Sequence, residues 1–174
     1  MRSNNSPAKR AAWLGVLAGV ALALSIMENS VLAMTNLAIP GVKPGLANLA
    51  VVLALYYLGP VCGGVVALIK SGAVFLATGA VTTLWFSLAG SVVSVAAMAL
   101  MWRFGKKLFS LAGVSAFGGA LGNCAQLCVM IALSGTPAMV GYLPVLVLSG
   151  SVFGLVIGML ANIITARIPE KLAP

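Results

Sequence analysis

The sequence predicts an all-α integral membrane protein, a six-helix transmembrane bundle, on three observations. Hydrophobic residues make up 61% of the 174 positions and charged ones 7%, against roughly 45–50% and about 25% in water-soluble domains. The apolar residues fall into six segments, punctuated by Gly59-Pro60, Thr78-Gly79, Gly105-Lys106-Lys107 and Ser134-Gly135-Thr136-Pro137. The cations flank those segments, apart from Lys70. A water-soluble fold is thereby excluded. The net charge of +8 orients the chain in a membrane and does not mark nucleic-acid binding, because no basic patch interleaved with aromatics is present.

Residues 1–10 read as a cytoplasmic N-terminal segment, 11–168 as the six-helix domain and 169–174 as a cytoplasmic tail. The first segment, 11–28, resembles a signal peptide with Val31-Leu32-Ala33 at the cleavage position. Its apolar run exceeds the usual core of about 7–15 residues, so a retained helix is expected. The second, 46–59, is short against the roughly 20 residues of a span. Gly59-Pro60 makes it either a tilted half-length helix or one that continues at a bend into the third, 61–78; interrupted helices of this kind are common in transporters. Segments 81–103, 111–134 and 143–166 each suffice for a span. The 28–46 stretch is the longest connection, and its mixture of apolar residues with Pro40, Gly41, Pro44 and Gly45 predicts an ordered cap over the helices.

Topology follows from the excess of Lys and Arg on the cytoplasmic side. Six spans place Arg2, Lys9, Arg10, Arg103, Lys106, Lys107, Arg167 and Lys171 on one side and Lys43 alone on the other. Both termini are therefore expected in the cytoplasm of a bacterial cell, with 28–46 outside.

Small residues recur at successive fourth positions. The first segment carries Ala11, Gly15, Gly19 and Ala23, the last Gly150, Gly154 and Gly158, and the fifth Gly118 and Gly122. In lipid such stripes let helices approach closely. Packing within the bundle is the ordinary reading; the uninterrupted stripe on the terminal helix favours a partner subunit.

Polar residues are rare enough to single out. Lys70 lies within a span, where a cation costs about 2.5–3.5 kcal/mol on insertion scales unless it is paired or functional. Either it pairs with Glu28, one of two acids in the chain, or it meets an anionic ligand group. Glu28, Lys43 and Asn48 are expected toward the outside, with Lys70, Ser87, Asn123 and Gln126 at middle depth or above. Convergent polar groups within an apolar bundle are what a small-molecule pocket requires, and Asn123 and Gln126, three apart, share a helix face.

Catalysis has little to work with. The chain has no Asp and no His, so Asp-rich metal sites and His acid–base chemistry are unavailable. Cys62, Cys124 and Cys128 lie in apolar stretches and read as packing residues, not metal ligands. The stretch Gly64 to Ser71 ends like a phosphate-binding loop, but Ile69 replaces the second Gly and the segment is a span. Neither a cofactor nor a metal is expected.

The run Pro40-Gly41-Val42-Lys43-Pro44-Gly45-Leu46-Ala47-Asn48 resembles the signature of the Gx transporter family, whose members are often labelled heptaprenyl diphosphate synthase component I. Ser87-Leu88-Ala89-Gly90-Ser91, Asn123-Cys124-Ala125-Gln126-Leu127 and Tyr142-Leu143-Pro144 with Gly150 and Gly154 extend the resemblance from Glu28 to Gly158. Gly122 stands where that pattern has a His. Prenyl diphosphate synthases hold magnesium through Asp-rich motifs, which this chain lacks. The family is similar to the substrate-binding S components of energy-coupling-factor transporters, six-helix proteins that hold a vitamin-like ligand under the first loop. The resemblance implies that Ala11, Gly15, Gly19 and Ala23 dock on a transmembrane coupling subunit driven by ATPases. The expected function is thus substrate capture for a vitamin-type uptake transporter. A solitary transporter and a non-catalytic scaffold for isoprenoid, quinone or flavin metabolism are the alternatives.

Overall fold

The computed structural model describes residues 7–35, 44–105 and 109–168, with only the backbone course of 32–35 and 105. The helices run α1 Pro7–Thr35, α2 Asn48–Leu58, α3 Pro60–Thr78, α4 Val81–Gly105, α5 Leu111–Ser134 and α6 Leu143–Arg167, with a 3₁₀ turn at Pro137–Tyr142 before α6. Five helical stretches are long and apolar enough to cross a membrane, and α2 is a shorter apolar helix. The chain is a multi-pass helical membrane protein.

One expectation at the start of the chain needs correction. Residues 28–35 are not part of the first connection, because α1 is 29 residues long and ends at Thr35. The polar run Glu28-Asn29-Ser30 resembles a helix end but continues the helix: Asn29 Nδ2 donates to Ser25 O at 2.7 Å, and Glu28 is held by a contact from beyond the helix. The expected cap and Lys43 within it fall on residues 36–43, outside the described residues.

The second helix takes the half-length alternative. Eleven residues at 1.5 Å each span about 16 Å, roughly half of a hydrocarbon core of about 30 Å. Gly59, at φ +95°, makes the break in a conformation that costs glycine little, and Pro60 opens α3 where no backbone donor is needed. A side chain at Gly63 would press on the Leu55 backbone at 3.3 Å, so the two halves fold closely together.

Because α2 is short and apolar on every side, it serves as a central plug. Ala50 to Leu55 and Leu58 are buried. Around it, α1, α3, α4, α5 and α6 pack in that order, with α2 bridging α1 and α6. The end of α2 near Leu58 is closed. Arg10 Nη2 donates to Leu58 O at 3.1 Å, placing a cation at the helix C-terminus. Trp13, Tyr57, Tyr56 and Trp102 form an aromatic chain with ring centroids 4.9–5.6 Å apart, and Tyr57 Oη donates to Ile168 O at 2.9 Å. Aromatic residues of this kind favour membrane–water boundaries. Arg10, Arg103 and Arg167 share this basic end through the up-and-down course of the helices. At the opposite end α2 stops short, and the space beyond it is polar.

Candidate functional site

The space left by the missing half of α2 is a cavity of about 200 Å³. Its walls include Ser25 and Glu28 from α1, Gly45 and Asn48 at the start of α2, Lys70 from α3, Phe86 and Ser87 from α4, and Asn123 and Gln126 from α5. A smaller chamber of about 50 Å³ lies deeper, between Ser91, Ser94, Ser115 and the glycines of α5 and α6. Gly45, Asn48, Lys70, Asn123 and Gln126 border both.

A chain of hydrogen bonds organises the mouth of α2. Glu28 Oε1 accepts from Gly45 N at 2.7 Å, Gly45 O accepts from Asn48 N at 2.8 Å, and Asn48 Oδ1 accepts from Lys70 Nζ at 2.7 Å. The positive φ of Gly45, +70°, turns the chain so that its N–H reaches the carboxylate while its carbonyl starts the helix. Lys70 is thus tied to Asn48, and Glu28 to the backbone that enters α2.

Beside Lys70, hydroxyls of α3 and α4 form a second cluster. Ser87 Oγ donates to Ser71 Oγ at 3.0 Å, and Ser71 Oγ lies 3.2 Å from Ser91 Oγ and 3.0 Å from Ala67 O. This short relay leads from the larger cavity, which Ser87 lines, to the smaller one, which Ser91 lines. Asn123 Nδ2 donates to Leu146 O at 2.9 Å, which fastens α5 to α6 and leaves the Asn123 carbonyl oxygen as an acceptor. Gln126 is wedged by α4, since a Cβ at Gly90 would collide with the Gln126 side chain.

Of the residues expected from sequence, Glu28, Asn48, Lys70, Ser87, Asn123 and Gln126 all lie on the walls of the larger cavity. Lys43 is outside the described residues. Ser25, Thr83 and Phe86 are additional wall residues. Their signal was spacing: Ser25 is three before Glu28, and Thr83 and Phe86 lie four and one before Ser87, so the first two share a helix face with a residue already singled out. The proposed partner stripe, Ala11, Gly15, Gly19 and Ala23, is exposed along α1, and a Cβ at Gly15 or Gly19 would meet nothing within 4 Å.

Fold and cavity together define a polytopic helical membrane protein with a polar chamber set into its bundle. The sequence profile described as heptaprenyl diphosphate synthase component I matches residues 17–164, and the chain belongs to that family. No curated protein and no solved structure matches it. Among the described residues no group of three or more His, Cys, Asp or Glu could hold a metal ion.

Proposed function

We propose that the chain is the substrate-capture subunit of an uptake transporter for a small, vitamin-type molecule, energised by a separate ATPase module. The observation that carries this reading is the cavity above the half-length α2, whose walls collect intramembrane polar side chains of five helices. An apolar chain accepts the cost of burying these groups where a pathway or ligand uses them. The basic end is tied together by Arg10 and the aromatic chain, and the positive-inside rule assigns that end to the cytoplasm of a bacterial cell. The cavity then faces the outside, and release inward requires the protein to reorient on a partner. The open stripe on α1 supplies a smooth surface for a transmembrane coupling subunit. The chain itself is non-catalytic on this reading.

Copurification from the native membrane tests the reading. A complex with a coupling subunit and ATPases is the expected result. Substrate uptake by the purified chain alone in liposomes would instead establish a solitary transporter.

A further inference from the structure

Resting on the capture reading above, we propose that the cavity takes a small zwitterion of about one ring in size, in preference to a simple anion. The charged side chains among its described wall residues are Lys70 and Glu28, one of each sign. A simple anion drawn to Lys70 would add a second negative charge to a chamber that already holds Glu28, where low polarity makes an uncompensated charge expensive. A zwitterion complements both charges: its anionic group faces Lys70 and its ammonium faces Glu28. Gly45 N takes one acceptor position of the Glu28 carboxylate, which has about four.

Ser25 supplies an independent observation. It is 3% exposed, lines the same cavity one turn before Glu28, and its Oγ has no hydrogen-bond partner. Buried hydroxyls are nearly always paired, so an unpartnered hydroxyl on a residue of the cavity wall offers a ligand's polar group a hydrogen bond once the side chain turns toward the chamber. Size sets the remaining limit. The chamber of about 200 Å³ is a little larger than the ~150 Å³ void that admits benzene. It has room for one ring with short substituents against Phe86 and Val74.

Three matched probes test the inference by calorimetric titration of the protein in lipid nanodiscs: 4-(aminomethyl)benzoate, benzoate and benzylamine. The zwitterion is expected to bind at least about tenfold tighter than either singly charged probe. Glu28→Gln, whose amide oxygen still accepts from Gly45, should bring the zwitterion down to the level of benzoate, and Lys70→Met to that of benzylamine. Ser25→Ala should weaken the zwitterion with the melting temperature unchanged. A cooperative melting transition kept in each variant, with benzoate still bound by Glu28→Gln or Lys70→Met no more weakly than expected for one lost charge, separates this outcome from loss of fold. Benzoate binding as tightly as the zwitterion, or a ratio unchanged in Glu28→Gln, overturns the zwitterion preference and leaves the capture reading standing. No binding of any probe also overturns the preference. If, in addition, the purified protein retains no small molecule, the capture reading falls with it.

Discussion

Two glycine stripes in this chain look alike in sequence and have opposite fates. On α6, Gly150, Gly154 and Gly158 are consumed by packing: a Cβ at Gly154 would strike Ser115 O, and one at Gly158 would strike the Ala112 backbone. The α5 and α6 backbones are in direct contact there, and Gly119 and Gly150 face one another across the same seam. On α1, Gly15 and Gly19 face open space, flanked by exposed Ala11 and Ala23. A small-residue stripe states only that something comes close. Whether that something belongs to the same chain is a property of the assembled bundle.

The difference can be broken most forcefully on α6. Gly154→Leu forces a side chain into the Ser115 carbonyl, and backbone cannot give way as a side chain can. A destabilisation of about 3 kcal/mol or more is expected, read as loss of a cooperative thermal transition in detergent. Gly19→Leu should leave that transition within about 0.5 kcal/mol of wild type while reducing recovery of the coupling subunit about tenfold, equivalent to about 1.4 kcal/mol. If Gly19→Leu unfolds the isolated chain, the α1 stripe is an internal contact after all.

Smaller changes sharpen the boundary between packing and cavity. Gly90→Ala pushes against Gln126, a flexible side chain, so a cost of about 1 kcal/mol is expected. Ligand affinity should shift at the same time, because Gln126 lines both chambers. Ser71→Ala removes the middle of the serine relay at a site with 0% exposure. Loss of those bonds is worth about 1 kcal/mol or less, measured as a small drop in melting temperature.

Much of this was legible because the chain is so apolar. Every intramembrane polar residue stands out, and polar groups in a bundle must converge or pay for isolation, so the described site residues chosen from sequence alone meet in one chamber. The breakers gave the ends of α3 and α5 as read, and extended α4 and α6 by no more than two residues. The end of α1 was misread for an instructive reason. Glu28 and Asn29 carry the composition of a helix end, yet they are polar because they face a cavity, not because the helix stops there. The half-length of α2 was left open between two alternatives, since Gly-Pro permits both a break and a bend. Ser25 stands three before Glu28, but a single serine inside an apolar helix is ordinary, and its lack of a partner shows only in the folded chain.

The central claim is that the chamber above α2 captures a small molecule and that the α1 stripe serves a separate purpose. Mass spectrometry of small molecules extracted from purified wild type, Gly19→Leu and Lys70→Met tests it most directly. The account predicts one molecule retained by wild type and by Gly19→Leu, and lost from Lys70→Met at an undiminished melting temperature. Equal retention by Lys70→Met, or no retained molecule in any of the three, would contradict it.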